Sequence, residues 1–331
     1  MFLSHRRCLA LYDIESAPRI LRDFLTYTDT IRGKSKNTAK EYFYDLRTFF
    51  RYLKIMNKLV PTNVDFDTIT IDDISVEMLA KVTLSDLYEY MAYVNRNRGN
   101  SASSRARKVS SLKSFYKYLT TKANVVQNNP TKELDSPTIG KRLPKYLELD
   151  GSLALLDAAD TDNKRDYCIL TLLLNCGLRV SELISINIKD IRKDTLTVIG
   201  KGNKERTIYL NDACISAIYS YLEIRKKDAV KDREALFLNK NRARIGPRGI
   251  QLMVKKYLEI AGLDVKKYST HKLRHTAATL MYKHGNVDIR ALQEILGHAN
   301  LSTTEIYTHI DNEQLRSAIN NNPLSNVKTK N

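Results

Sequence analysis

The amino-acid sequence predicts a mainly α-helical protein with a small β component, divided into two domains. Its 331 residues exceed what a single hydrophobic core usually organises. Apolar residues recur at helical spacing through most of the chain, whereas strand-like alternation is concentrated near residues 195–210. A stretch of Asn, Pro and Gly that begins near residue 128 interrupts the helical pattern and marks the domain boundary.

The first predicted domain, residues 17–127, consists of helices. Three apolar stripes at helical spacing predict its main helices, and they lie at residues 42–53, 84–94 and 109–119. Ser35 precedes the first stripe as a candidate N-cap, and Thr83 with Asp86 matches a capping box before the second. The stripes indicate a packed helical core and carry no chemistry of their own.

Residues 128–146 are predicted to form an interdomain linker. Prolines at both ends of this stretch, among them Pro130 and Pro144, are incompatible with a continuous helix. Basic residues such as Lys141 and Arg142 lie between them, and a basic linker can follow DNA phosphates.

A second domain of helices and strands is predicted over residues 147–320. The nearly continuous apolar run at 167–174 suits a buried helix that ends at Gly177. Strand-like segments are expected at 195–199, 205–210 and 235–238. The first two flank a turn at 200–204, so we expect them to pair as a β-hairpin. Residues 321–331 are predicted to form a polar C-terminal tail.

The charge balance points to a polyanionic partner. Lys and Arg number 54 against 37 Asp and Glu, which gives a formal net charge of +17. Such an excess favours nucleic acid as the partner, and an anionic membrane surface is the weaker alternative.

The cysteines and the hydropathy indicate the cytoplasm as the expected location. The four cysteines form no C-x-x-C pair, so we expect neither a disulfide framework nor a zinc knuckle. No apolar run approaches the roughly 18 residues that a membrane span needs. The first residues also lack the apolar region of a signal peptide. We therefore expect no membrane partner.

Two short motifs place cations and imidazoles near helix ends. Arg179 follows the glycine that is predicted to end an apolar helix. His271 and Arg274 share a helix face near a predicted N-cap at Thr270, and a helix N-terminus with an added Arg is an anion site. His275 lies four residues after His271, a spacing that can bind zinc. No acidic ligand accompanies the pair, so we expect no metal.

A third motif, at residues 296–310, contains a phenol close to an imidazole. Gly297 is expected to end one helix, and Ser302 with Glu305 matches a capping box for the next. Tyr307 lies in that second helix, nine residues after His298.

Taken together, these groups suit attack on a phosphodiester. Negative charge develops on the non-bridging oxygens, and two Arg side chains can bind them bidentately. A phenol with a pKa of about 10 needs a base such as His, and a Lys on a hairpin turn can protonate the leaving oxygen. The chain offers these groups in Arg179, Lys201, His271, Arg274, His298 and Tyr307.

At these residues the sequence resembles the tyrosine site-specific recombinases of the phage integrase family, in particular the Xer type. The matching stretches are GLRVSEL at 177–183, VIGKGNKER at 198–206, HKLRHTAAT at 271–279 and LGHANLSTTEIYTHI at 296–310. Two N-terminal stretches also resemble helices of the family's core-DNA-binding domain, and they are SKNTAKEYFYDLRTFFRYL and SSRARKVSSLKSFYKYL.

The resemblance implies a fold and an activity. Residues 17–127 would form a SAM-like core-binding domain and residues 147–320 a mixed α/β catalytic domain of the tyrosine recombinase type. Together the two domains would form a C-shaped clamp on DNA. The first helical stripe opens by about residue 18, which leaves no room for the arm-binding domain of lambda-type integrases and favours a Xer-like architecture.

The resemblance also implies a role for each site residue. Tyr307 would attack the scissile phosphate and form a 3′-phosphotyrosyl link, while Arg179 and Arg274 hold the phosphate. Lys201 would protonate the leaving 5′-oxygen. The remaining roles fall to two imidazoles, with His271 as general base or acid and His298 as a hydrogen-bond donor to the phosphate. Neither metal nor ATP would be needed.

The implied partner is double-stranded DNA with a specific core site. Strand exchange would pass through a Holliday junction in a tetramer on two DNA sites, with a second recombinase or a DNA translocase as further partners. The role would be chromosome or plasmid dimer resolution, or mobile-element integration. Candidate DNA contacts on the two resembling helices are Lys36, Thr38, Lys40, Arg47, Arg105, Lys108 and Lys113.

Two other functions compete with recombination. A type IB topoisomerase shares much of the Arg-Lys-Arg-His-Tyr set, but the Xer-like sequence around Arg179 and Tyr307 argues against this function. A non-catalytic DNA-binding protein is disfavoured because all six positions carry the expected residue types. Glu182 is expected to fix the region of Arg179, and Asp190 is expected to cap or pair.

Overall fold

The chain divides into two units, Met1–Lys141 and Arg142–Asn331. The computed structural model describes residues 14–61, 63–140, 145–160, 163–200, 205–226, 228–285 and 287–297. The boundary between the units falls inside the stretch 128–146, where the sequence predicts a linker. Within the described ranges, no helix is long and apolar enough to cross a bilayer.

The first unit is helical, as the sequence predicts. Its helices are α1 (Arg19–Thr26), α2 (Lys36–Met56), α3 (Val76–Ala80), α4 (Leu84–Arg96) and α5 (Ala102–Thr121), with a π-helical turn at Tyr27–Ile31 and a 3-10 turn at Phe66–Thr68. Both predicted caps are confirmed. The Ser35 side chain accepts from the Thr38 amide, and Thr83 and Asp86 form a complete capping box before α4.

Aromatic side chains from α1, α2, α4 and α5 form the core of the first unit. Phe24 and Phe115 meet edge to face with ring centres 5.2 Å apart, and Phe49 meets Tyr90 at 5.0 Å. All four are buried. Burial of each such side chain stabilises the fold by about 1.5–3 kcal/mol, so the apolar stripes hold these helices together.

A buried carboxylate also joins α2 to α5. Asp45 accepts from Lys108 Nζ at 2.9 Å and from Arg107 Nη1 and Ser111 Oγ at 2.8 Å. Only 8% of the Lys108 side chain is exposed. This pairing disagrees with the prediction that Lys108 contacts DNA, because its ammonium is withdrawn from solvent and neutralised by Asp45.

The second unit combines seven helices among its described residues with one small sheet. The helices are α6 (Leu149–Asp160), α7 (Lys164–Cys176), α8 (Val180–Ser185), α9 (Asp212–Ile224), α10 (Pro247–Ile260), α11 (Thr270–His284) and α12 (Ile289–Leu296). The strands are β1 (Ile191–Arg192), β2 (Thr195–Ile199) and β3 (Glu205–Tyr209), which follow a 3-10 turn at Ile188–Asp190. Asp190 caps that turn, since it accepts from the Asn187 amide.

The sheet is antiparallel, in the order β1-β2-β3. The predicted hairpin is confirmed, with Leu196 opposite Ile208 and Val198 opposite Arg206. The prediction of a strand at 235–238 is wrong. That stretch makes only isolated bridges, because part of its backbone is bonded to side chains of α9 and its C-cap: Arg225 donates to the carbonyls of Ala235 and Leu236, and the Leu238 amide donates to the Tyr221 hydroxyl.

Helix α7 is the central element of the second unit. Asn163 caps its N-terminus, and nine of its thirteen residues are buried. It ends at Gly177, as predicted, in the left-handed conformation with φ of +59°. A Cβ at this position would lie 2.9 Å from Leu296 Cδ2, so glycine lets α12 pack closely against the end of α7.

Removing the buried carboxylate of the first unit should destabilise the protein. Asp45→Asn leaves the Lys108 ammonium buried without a counter-charge, and we expect the free energy of unfolding to fall by about 3–5 kcal/mol. Urea denaturation followed by circular dichroism measures the change.

The matched control is Asp23→Asn, which removes the exposed partner of Arg19. That substitution should change the free energy of unfolding by less than about 1 kcal/mol. Equal losses in the two variants would show that Asp45 does not stabilise the packing of α2 against α5.

Candidate active site

Arg179 is held at the turn between α7 and α8. It is the N-cap residue of α8, with an extended backbone at φ −72° and ψ 149°. Its amide donates to Glu182 Oε2 at 2.9 Å, and its Nη1 donates to Oε1 of the same carboxylate at 2.7 Å. The expected role of Glu182 in fixing this region is therefore confirmed, since two bonds fix the start of α8 and the direction of the guanidinium.

Two further guanidinium groups lie close to the Glu182 carboxylate. Its side chain is 1% exposed, and it also accepts from Arg206 Nη2 at 2.8 Å, while Arg274 Nη1 lies 3.8 Å from Oε2. Burial raises the pKa of Glu182, but the bond from the Arg179 amide and the charge of Arg206 outweigh this effect, so the pKa lies below its ordinary value. Three positive charges around one negative charge leave this cluster strongly cationic.

The same three arginines bind the C-terminal end of α12. Arg206 Nη1 donates to the carbonyl of Ile295, Arg274 Nη2 to that of Leu296 at 2.5 Å, and Arg179 Nη2 to that of Gly297 at 2.9 Å. The last carbonyls of a helix have no partner within the helix and carry its negative dipole end. Three guanidinium groups from three different elements satisfy them here.

Arg274 is the most deeply buried of the three arginines, with 5% of its side chain exposed. It is buried on α11, and its Nη1 donates to the carbonyl of Gly177 at 2.6 Å. The carbonyls of Gly177 and Leu296 thus hold the guanidinium between the end of α7 and the end of α12. The N-cap of α11 is Ser269, however, and not Thr270 as predicted. Its side chain makes no capping bond, and Thr270 begins the helix as a buried residue.

His271 lies in the first turn of α11, beside this cationic cluster. Its ring centre is 4.7 Å from that of His275, with the planes at 75°. Desolvation lowers the pKa of His271, and the positive charges of Arg274, Lys272 and Arg179 lower it further. The imidazole is therefore neutral at neutral pH and able to accept a proton. Among the described residues, no group of three His, Cys, Asp or Glu side chains is placed to hold a metal ion.

Three predicted site residues lie outside the described residues. Lys201 belongs to the segment between β2 and β3, and His298 and Tyr307 follow α12. The described structure brings together Arg179, Arg274 and His271, and it also defines the points from which the chain continues to the other three.

The predicted DNA contacts of the first unit have different surroundings. Lys36 and Lys113 are exposed, and Arg47 stacks over the rings of Phe43 and Tyr44. Three other candidates contact protein groups. Thr38 Oγ1 lies 2.9 Å from Ser35 Oγ, and the Lys40 ammonium lies over the Tyr44 ring. The Arg105 guanidinium donates to the Asn95 side chain and to the carbonyl of Asn100. Lys36 and Lys113 are therefore the cations of this set that are most open to a phosphate.

Arg206 is a residue of this cluster for which the sequence predicts no role. It lies on β3 opposite Val198, whose side chain is buried, so it occupies an inward-facing position of the strand. A charged residue at an inward position of an alternating strand is the signal that could have drawn attention to it.

Comparison with known proteins identifies relatives for both units. Residues 145–314 match the model of the phage integrase family, and residues 21–123 match the phage integrase N-terminal SAM-like domain. A tyrosine recombinase XerC of Caldanaerobacter subterraneus subsp. tengcongensis is 55% identical over 321 residues, which cover 97% of this chain and 91% of the relative.

Two solved structures share the fold at lower identity. A XerH site-specific recombinase bound to its palindromic difH substrate is 22% identical with a TM-score of 0.66, and the match covers 91% of this chain and 94% of that one. A lambda integrase tetramer bound to a Holliday junction is 16% identical with a TM-score of 0.63, over 91% and 83% of the two chains.

Removing one positive charge beside His271 should raise its pKa. In the unaltered protein, NMR titration of the imidazole should give His271 a pKa below the ordinary value of about 6.5. In Lys272→Gln the midpoint should move upward, because less positive charge opposes protonation. Lys255→Gln, which removes one positive charge from an exposed position of α10, is the control and should leave the midpoint of His271 unchanged. An unchanged midpoint in Lys272→Gln would contradict this electrostatic account.

Proposed function

Since the chain belongs to the phage integrase family and is a Xer-like tyrosine recombinase, an enzyme of site-specific DNA strand exchange, we propose that its active site is assembled around Arg179 and Arg274. The observation that carries this proposal is the excess positive charge around the buried carboxylate of Glu182. Such a cluster suits the charge that develops on a phosphate under attack.

The proposed reaction is an exchange of oxygens at phosphorus. The phenolic oxygen of Tyr307 attacks the scissile phosphate, a Tyr–O–P bond forms, and the bond to the 5′-oxygen breaks. His271 takes the phenolic proton, and Lys201 gives a proton to the leaving 5′-oxygen. His298 donates a hydrogen bond to the phosphate. Attack by a 5′-hydroxyl on the phosphotyrosyl ester reverses these steps and rejoins a strand.

The lowered pKa of His271 supports its role as the proton acceptor. A base must be unprotonated to accept the phenolic proton, and burial together with the neighbouring cations keeps this imidazole neutral at neutral pH. The same cations stabilise the phenolate that forms, since the pKa of a phenol falls beside positive charge.

The first unit supplies further contacts to DNA in this proposal. Residues 17–127 act as the core-DNA-binding domain and residues 147–320 as the catalytic domain, joined by residues 128–146. Lys36 and Lys113 bind phosphates. Thr38, Lys40, Arg47 and Arg105 are weaker candidates because other groups of the protein contact them. Lys108 is not one of these DNA contacts, because its ammonium is bonded to Asp45. The net charge of +17 favours such backbone contacts.

Strand exchange requires two DNA sites, so we propose that four protomers assemble on them. Support comes from the relatives, among which a lambda integrase forms a tetramer on a Holliday junction and a XerH recombinase binds a palindromic substrate. A second recombinase or a DNA translocase as partner, and action in the cytoplasm, belong to this proposal. The type IB topoisomerase considered from the sequence gains no support from the relatives.

The proposed nucleophile is tested by covalent capture. Complexes trapped on genomic DNA map the cleavage site, and a duplex nicked beside that site then serves as a suicide substrate. Tyr307→Phe should form no covalent adduct, because it lacks the attacking oxygen, while its affinity for the duplex should stay within about twofold since phosphate contacts dominate binding.

Tyr209→Phe is the matched control, because Tyr209 is an exposed tyrosine of β3. This variant should cleave DNA normally. An adduct that persists in Tyr307→Phe would exclude this residue as the nucleophile. Relaxation of a supercoiled plasmid that lacks the mapped site would favour the topoisomerase instead.

A further inference from the structure

Arg206 joins three elements of the second unit. It projects inward from β3, and its Nη2 donates to Glu182 Oε2 on α8 at 2.8 Å. Its Nη1 donates to the carbonyl of Ile295 at the end of α12. Its Nε–H is also buried and has no acceptor among the described residues, so these two bonds set the direction of the guanidinium.

The end of α12 is shaped to accept this side chain. Gly297, in the left-handed conformation with φ of +62°, lies against it. A Cβ on Gly297 would come within 2.9 Å of both Cδ and Nε of Arg206. The glycine therefore ends the helix and also leaves the space that the Arg206 side chain occupies.

We propose that Arg206 is a positioning residue for DNA cleavage. It holds the Glu182 carboxylate in the orientation that directs Arg179, and it anchors the last turn of α12, from which the chain continues to His298 and Tyr307. This inference rests on the proposed function, because it takes Tyr307 as the nucleophile.

The bonds of Arg206 describe a bridge between two parts of the protein. Its Nη2 is bonded to the Glu182 carboxylate on α8 and its Nη1 to a carbonyl at the end of α12. A positioning role of this kind needs no contact between Arg206 and the phosphate.

The fold has other supports at the same place, so the effect of Arg206 should appear in the rate of cleavage. The hairpin is held by five cross-strand residue pairs, and α12 packs through buried Leu292 and Leu296 against Ala278. Loss of Arg206 removes the link between these elements and leaves each element folded.

The test uses the full chain and the suicide substrate under single-turnover conditions with saturating protein. Arg206→Gln should form the covalent adduct about 100-fold more slowly, since a displacement of about 1 Å can cost that much. Its affinity for DNA and its thermal midpoint should stay close to those of the unaltered protein. Arg192→Gln, on exposed Arg192 of β1, is the matched control and should cleave normally.

Arg206→Lys is a milder second variant. Its single ammonium keeps the charge but cannot bridge Glu182 and Ile295 as a planar fork does, so we expect cleavage about 10-fold slower than normal. A normal rate in this variant would mean that charge alone suffices, and it would overturn the bridging role.

A substrate with sulfur in place of the leaving 5′-oxygen separates the two sides of the reaction. A thiolate leaves without needing a proton, so the sulfur relieves defects in leaving-group protonation only. The Arg206→Gln defect should persist on it, because it concerns Arg179 and the nucleophile. Relief by sulfur would place the defect at Lys201 and overturn the proposal.

The control for the proposed function is independent. If Tyr307→Phe still forms the adduct, the proposed nucleophile fails whatever Arg206 does. If Tyr307→Phe is inactive and Arg206→Gln cleaves normally, the positioning role alone fails.

Discussion

The ion cluster centred on Glu182 is the constraint on which the site depends. Three guanidinium groups brought this close repel one another, and a buried carboxylate without partners is costly. Together they stabilise one another, and the bonds to Arg179 and Arg206 fix each group in direction. Glu182 thereby holds the cations in place and still leaves positive charge in excess, which is what an anion site requires.

The second feature of this cluster is its link to the end of α12. Arg179 and Arg274, which we propose as phosphate ligands, also donate to the carbonyls of Gly297 and Leu296. The side chains proposed to hold the phosphate therefore also hold the point from which the chain continues to Tyr307, the proposed nucleophile. Such shared anchoring fixes dipoles and charges before the substrate arrives, and little reorganisation is then needed during the reaction.

Local sequence signals predicted the helices and the hairpin well, but they did not predict ion pairs between residues that are distant in the sequence. The capping box at Thr83, the end of α7 at Gly177 and the hairpin all depend on residues a few positions apart. The pairing of Lys108 with Asp45 joins residues on separate helices, so Lys108 looked like any solvent-facing lysine of a basic helix. The role of Arg206 was not predicted for the same reason, because its partners Glu182 and Ile295 are both far from it in the sequence.

Two of the buried carboxylates among the described residues, Asp45 and Glu182, show how similar ion clusters serve different purposes. Asp45 faces Lys108 and Arg107, and Glu41 also binds Arg107, so two carboxylates balance two cations. Glu182 is the single carboxylate among three cations. A balanced cluster has no charge left for a ligand and stabilises helix packing. The unbalanced one keeps a positive potential that a bound anion such as a phosphate would partly compensate, and this difference supports the proposal that it is the functional site.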